Sequence, residues 1–284
     1  HIWDGDVDPL VVALDTIAQG KSVAVSSATA VSKTFTLGAC GTLWFLATHE
    51  KSIVLSIAPQ EKQLLLNQWK ELGAMFPRFK REFNSATLGS GKLRVLDGDG
   101  ENETWAATAF AGGVGANEDV AQRLAGAHHG CDGLSEVHNL VGSHHPCMLW
   151  ILEDAPGIDI ARLNTVIQTA VGAMNPILGM GNRDSKNDTL GVFAAKKWVL
   201  DLRISAYDHP NIVTGRDIVP GAVSPRSIEN RLEDADGNAD DPIFLSRVRG
   251  IAPTQSKRAL IRWEWLEAAA QRWCDKELRK GPLA

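Results

Sequence analysis

The sequence predicts an α/β fold, a mainly parallel sheet flanked by helices. Two observations carry this. Short apolar runs of strand character alternate with stretches of helical spacing along much of the chain, and that order calls for crossover units. One of these runs, Val23–Ser26, leads through small residues into Lys33-Thr34 and then an apolar helical stretch, the layout of a phosphate-binding loop between strand and helix.

The bulk composition agrees. At 284 residues, 44% hydrophobic and 22% charged, the chain has material for one large α/β domain plus a small appendage, and for a real core. Net charge is -5, so any DNA contact must use local basic patches rather than a global positive field. No apolar stretch approaches the ~20 residues that span a bilayer, and there is no secretory signal, so a soluble protein with no membrane partner is expected. Four cysteines make no disulfide framework. The chain begins at His1 rather than Met, which suggests a piece of a longer protein.

Taken in order, residues 1–21 form a helix that leads into a strand at Ser22–Ser26. The helix after the loop carries Phe35, Leu37, Ala39, Leu43, Trp44, Leu46 and Ala47. Ser52–Ala58 is a buried strand stopped by Pro59. Glu61–Phe76 is a helix with Leu65, Trp69, Leu72 and Phe76 on one face. Pro77–Phe83, with Arg78, Lys80 and Arg81, reads as a solvated surface turn rather than a DNA contact. Leu88–Thr108 suggests strands or a hairpin, and 111–115 and 126–133 are loop-like. Cys147–Leu152 is a buried strand ending in Glu153-Asp154, followed by a helix at Ile158–Ala173. Pro176–Asn182 and Trp198–Ala206 are further strands. Beyond Tyr207 the sequence turns Pro-, Asp- and Arg-rich, placing a boundary near 205 between a core of residues 1–205 and a smaller subdomain of residues 206–284. Within the latter, Ser224–Asp234 and Asp241–Arg249 are short helices. Ala259–Arg279 is a longer one, with Trp263, Trp265, Leu266, Ala269 and Trp273 available for packing.

A phosphate loop follows G-x-x-x-x-G-K-[ST]. Here the octet reads Ser27, Ala28, Thr29, Ala30, Val31, Ser32, Lys33, Thr34, with serines where the glycines belong. Its chemistry would use Lys33 on the β/γ-phosphates of ATP and Thr34 on Mg²⁺. A second strand must offer one carboxylate to the metal and another to the attacking water, and Glu153 and Asp154 end such a strand. Asn182, ending a third, suits a γ-phosphate sensor. Each feature alone has a plain reading: a helix N-cap, carboxylates on a helix dipole, a turn residue. Three strand ends together are more specific, because open α/β sheets bind ligands at the carboxyl ends of their strands.

A longer set of residues now bears on the question. Trp44-Phe45-Leu46, Ile57-Ala58-Pro59 with Gln63 and Trp69, Leu152–Gly157, Gly179–Asn182, Ile204–Asn211 and Phe244–Pro253 occur in an order that resembles the ATPase half of phage large terminases. The resemblance implies a P-loop NTPase core of the additional-strand type with a small helical linker or lid. It implies an ATP-driven motor that moves double-stranded DNA into a capsid, with ATP and Mg²⁺ as cofactors. The implied partners are DNA, a portal, a small terminase subunit and further copies of the chain in a ring, in the cytoplasm of an infected bacterium. In that family a nuclease domain follows; this chain stops where it would start, so it is not expected to cut DNA.

Carried over by position, Glu153 is the metal carboxylate and Asp154 the water-activating one, whereas the family usually has Asp-Glu. Asp154 reaches about 1.5 Å less far than Glu, one C–C bond. Ser26 or Ser27 stands where the family often has an arginine. Ser32 puts a Cβ where the backbone meets phosphate or where φ is unusual, at a cost on the order of 1–2 kcal/mol. These departures support an alternative, a hydrolysis-deficient P-loop fold serving as a DNA-binding or assembly component. A helicase-like ATPase is disfavoured, since no second motif-bearing domain is found. Arg123 and Arg183 are the candidates for the arginine finger such motors use. Finally, His128-His129-Gly130-Cys131 and His144-His145-Pro146-Cys147 repeat H-H-x-C, a set able to hold zinc. Against zinc, Cys147 starts a buried strand and adjacent strand histidines face opposite ways.

Overall fold

A computed structural model describes residues 7–95, 105–111, 145–254 and 263–274. Eight strands form one sheet in the order β3-β4-β5-β2-β6-β7-β1-β8. They are β1 (Ser22–Ser27), β2 (Ile53–Ala58), β3 (Thr87–Gly89), β4 (Lys92–Arg94), β5 (Ala106–Ala111), β6 (Met148–Leu152), β7 (Ile177–Gly181) and β8 (Val199–Ile204). From β5 across to β8 every pairing is parallel, and β3–β4 adds an antiparallel hairpin at the β5 edge. β1, β2, β6 and β7 are buried along their whole length, which is why they read as continuous apolar runs.

Helices cover both faces. Val23 and Val25 point into one apolar cluster and Ala24 into the other, the alternation expected of a strand. Helix α1 (Pro9–Ala18) opens on an Asp8 cap that accepts from the Leu10 N–H at 2.9 Å, with Pro9 in the first turn, where its missing N–H costs nothing. Among the described residues no helix is long and apolar enough to cross a membrane.

Three regions differ from the sequence expectations. The stretch after Lys33 is a π-helix, Thr34–Cys40, running into α2 (Gly41–Thr48). The helix expected at Glu61–Phe76 is two, α3 (Glu61–Leu66) and α4 (Gln68–Glu82). The break is local. Gln68 is fully buried, and its amide donates to the Gly38 carbonyl, the Thr42 hydroxyl and the Ser56 hydroxyl at 3.0–3.1 Å. Helix α4 then runs through Pro77, so the expected turn at Pro77–Phe83 is helix, with Arg78, Lys80 and Arg81 on it. An interior proline costs about 3 kcal/mol. Aromatic packing offsets it: Phe79 stacks on Phe83 at 4.5 Å, and Phe83 meets Trp105 edge-on at 5.6 Å.

Helices α5 (Ile160–Thr169) and α6 (Thr189–Ala194) pack on the core. After β8 come α7 (Pro210–Thr214), α8 (Pro225–Glu233) and α9 (Pro242–Arg247). Val223, Ile228, Phe244 and Val248 from this part join the same buried cluster as the sheet. Helix α10 (Trp263–Cys274) is present, but Trp265, Leu266 and Trp273, expected to pack, are exposed at 60%, 45% and 71%.

Candidate nucleotide site

The strand order places β7 between β1, which carries the loop, and β6, which carries the carboxylates. This interposed strand marks the additional-strand class of P-loop folds. It also brings the three strand ends side by side.

The loop between β1 and the π-helix is held from outside. The Ala28 N–H donates to the Ile204 carbonyl and the Thr29 N–H to the Arg247 carbonyl, both at 2.8 Å, while the Ala30 carbonyl accepts from the Val223 N–H at 2.9 Å. The N–H groups of Val31, Ser32 and Lys33 make no backbone hydrogen bond among the described residues, so they are available to an anion. Two residues take the left-handed conformation, Ala30 at φ 59° and Ser32 at φ 64°. Neither is glycine, and each costs roughly 1–2 kcal/mol there. The second glycine position of the motif thus has the backbone glycine suits. The first, Ser27, is an ordinary strand end.

The loop floors a cleft of ≈ 450 Å³ whose walls include Lys33, Thr34, Phe35 and Glu71 and whose roof is Val219–Ala222. Buried Asn211 braces the roof. Its Oδ1 accepts from the Val219 N–H at 2.8 Å, and its Nδ2 donates to the Val219 and Val223 carbonyls at 3.0 and 3.1 Å.

Lys33 is buried. Thr34 donates its hydroxyl to Glu153 Oε1 at 2.5 Å, so the loop and the end of β6 meet. Glu153 is only 2% exposed and its Oε2 has no hydrogen-bond partner. Its carboxyl is raised to about 7, mainly by burial and slightly by Asp154, against the lowering effect of the Lys33 ammonium and the Thr34 hydroxyl. A buried carboxylate with one oxygen unpartnered beside a threonine hydroxyl fits a divalent cation. The two residues that sequence assigns to Mg²⁺ are therefore the two in contact.

Asp154 sits at φ 48°. Asp enters the left-handed region more readily than Glu, so the backbone here favours the shorter acid. Its side chain lines a second cavity of ≈ 280 Å³ with Gln63, Asn182, Asp184 and Arg247. Asn182 donates from Nδ2 to the Ser27 carbonyl at 2.5 Å, tying the end of β7 to the start of the loop. Where Gly181 precedes it, a Cβ would lie 2.4 Å from Pro156 Cδ, which keeps β7 close to the turn that carries Asp154.

Arg183 stands elsewhere. Its guanidinium donates to the Lys186 carbonyl at 3.2 Å, lies 3.9 Å from Asp188, and lines a separate cleft with Ser26, Asp201 and Arg203. Arg123 lies outside the described residues, as do all members of the His/Cys pattern except His145 and Cys147. Among the described residues no group of three His, Cys, Asp or Glu side chains could hold a metal. His145 Nδ1 lies 2.8 Å from the Cys147 carbonyl, and the Cys147 thiol is free, its pKa pushed up to about 11 by burial.

Sequence reasoning missed Arg247, Asp184 and Asn211 as site residues. Asn211 and Arg247 lie in stretches that carry the resemblance, but nothing in the local pattern gives them or Asp184 a role at the site. Arg247 arrives through the chain's return after β8, and Asn211 acts on backbone groups whose places only the fold defines.

The strand order and the loop between β1 and the π-helix define a P-loop fold of the additional-strand type. No family model and no curated protein matches the chain by sequence. Solved structures do match. The large terminase of the thermophilic bacteriophage D6E superposes with a TM-score of 0.58 at 10% identity, covering 87% of this chain and 54% of that one. The same terminase in complex with ATP-gamma-S gives 0.51 at 9% identity, over 85% and 51%. The ATPase domain of Thermus phage P74-26 large terminase gives 0.52 at 12% identity, over 86% of this chain and 92% of that domain. The chain spans about half the length of the D6E protein and nearly the whole P74-26 ATPase domain. Its fold is that of the large-terminase ATPase domain, as the ordered motifs imply.

Proposed function

We propose that this chain is the ATPase motor domain of a viral DNA-packaging terminase, binding ATP with Mg²⁺ and coupling hydrolysis to the movement of double-stranded DNA into a capsid. The observation that carries the reading is the contact of Thr34 with Glu153 beside buried Lys33, in a loop whose Val31, Ser32 and Lys33 N–H groups make no backbone bond among the described residues. In this reading the N–H groups of Val31–Lys33 and the Lys33 ammonium hold the β- and γ-phosphates. Thr34 and Glu153 would hold Mg²⁺, which when bound offsets phosphate charge. Asp154, one residue further along and facing the adjoining cavity, accepts a proton from the attacking water. Asn182 senses the γ-phosphate, and residues 206–284 act as the lid that responds.

Structures of terminases with ADP and ATP-gamma-S support nucleotide binding by this fold. The wider setting follows from the same likeness: double-stranded DNA, a portal, a small terminase subunit and a homo-oligomeric ring, in the cytoplasm of the infected host.

Two observations favour a second reading, a P-loop fold that binds but does not hydrolyse. Ala30 and Ser32 hold left-handed backbone without glycine, and the water-activating position is Asp rather than Glu. ATP turnover by the chain, with and without Lys33→Ala, separates the two. Turnover lost in Lys33→Ala supports the motor. Nucleotide binding without turnover, with Arg-supplying copies present, supports the second reading.

A further inference from the structure

Asp154, Asn182 and Asp184 line a cavity in which Arg247 is the one cation among the described residues. Arg247 comes from neither the loop nor the sheet. It ends α9 in the part of the chain after β8. Its main chain is fixed: its carbonyl accepts the Thr29 N–H at 2.8 Å, and the next residue, Val248, accepts the Ala206 N–H at 2.8 Å. Gly250 secures the same segment at φ 63°, where a Cβ would lie 2.6 Å from the Ile204 carbonyl oxygen. The side-chain tip is held only loosely. It donates to Asp184 at 3.2 Å, in a pair whose side chains are 38% and 68% exposed. Exposed pairs of this kind contribute little to stability and break readily.

A fixed base, a loosely held guanidinium and a position between the phosphate loop and the water-activating carboxylate suit one task. We propose that Arg247 is a cis-acting contact for the terminal phosphate of a nucleoside triphosphate, held by Asp184 when that phosphate is absent. The inference rests on the nucleotide-site reading above and adds to it the residue that distinguishes triphosphate from diphosphate. On triphosphate binding the guanidinium leaves Asp184 for the γ-phosphate, a more highly charged acceptor whose planar recognition suits its fork. On loss of that phosphate it returns. Because its carbonyl holds Thr29, the change is felt by the loop and by α9 together. Coupling therefore runs through a residue of the smaller subdomain as well as through Asn182.

The test is calorimetric titration of the 284-residue chain with Mg·AMP-PNP and, separately, Mg·ADP. Arg247→Ala should weaken AMP-PNP about ten- to hundredfold, the loss expected for one charge-assisted hydrogen bond, with ADP changed less than about twofold. Arg247→Lys should fall between, retaining charge but not the fork. Asp184→Asn should tighten AMP-PNP by about two- to fivefold, the strength of an exposed pair no longer competing, and leave ADP unchanged. Equal losses for both nucleotides in Arg247→Ala, no loss for either, or weaker AMP-PNP binding in Asp184→Asn would each overturn the proposal. If Arg247→Ala fails to fold, the Asp184→Asn arm decides alone. A wild-type chain that binds neither nucleotide overturns the site reading itself, an outcome distinct from a wild type that binds both while Arg247 proves indifferent.

Discussion

The two cavities at the strand ends are built differently. The cleft over the phosphate loop is bordered by Val219–Ala222, and that segment hangs on hydrogen bonds from the buried amide of Asn211. The cavity beside Asp154 is lined by Arg247, whose side chain rests on an exposed carboxylate. Buried, satisfied polar groups rigidify, because leaving any of them unpaired is costly. Exposed ion pairs exchange with water at little cost. The first cavity is therefore a fixed holder, and the second is suited to a contact that changes during a reaction cycle.

Breaking each side should give effects of different kind and size. The largest is expected at the holder. Lys33→Ala should weaken nucleotide binding on the order of 100-fold, from loss of charge-assisted bonds to phosphate, read by the same titrations. Asp154→Asn should lower turnover by about 100-fold or more, the usual contribution of a general base, while nucleotide affinity stays within a few-fold. An affinity loss matching the rate loss would place Asp154 in the holder and blur the distinction. Next comes the roof. Asn211→Ala strands the Val219 N–H and the Val223 carbonyl, while the Val219 carbonyl keeps the Ala222 N–H, and should cost about 2–4 kcal/mol of stability at roughly 1–3 kcal/mol for each group left unsatisfied. Urea unfolding measures it. A change under about 0.5 kcal/mol, the low end for a single hydrogen bond, would mean that the roof does not depend on this brace.

Much of this was legible in the sequence, and the limits have physical causes. The buried parallel strands showed because both of their faces are apolar. Thr34 and Glu153 were assigned to one metal from separate parts of the chain, and they touch. The helix through Pro77 was not legible, because a local rule about proline was outweighed by the packing of Phe79 on Phe83 and of Phe83 on Trp105, the last brought in from distant sequence. The split at Asn67 was hidden for a similar reason: Gln68 reads as a surface residue until the fold surrounds it with Gly38, Thr42 and Ser56. Helix α10 shows the converse, an apolar helical pattern in which Trp265 and Trp273 are more than half exposed. Arg247 could not be found from spacing at all, since its proximity to Asp154 is created by the backbone bonds at Thr29 and Ala206.

The smallest effect sharpens the comparison most. Ser32 holds φ 64° at the position where the motif places glycine. Ser32→Gly should relieve left-handed strain of roughly 1–2 kcal/mol, less the extra entropy that glycine loses on folding, about 0.5–1 kcal/mol. The net is a gain near ~0.5–1 kcal/mol, seen as a higher urea midpoint with an unchanged slope. Since Ser32 belongs to the holder and not to the Asp154 cavity, the preference for AMP-PNP over ADP should stay constant while overall stability rises. If Ser32→Gly instead destabilises the chain, the serine side chain contributes more at this bend than the backbone conformation costs, and the missing glycine is an adaptation of this loop rather than a defect in it.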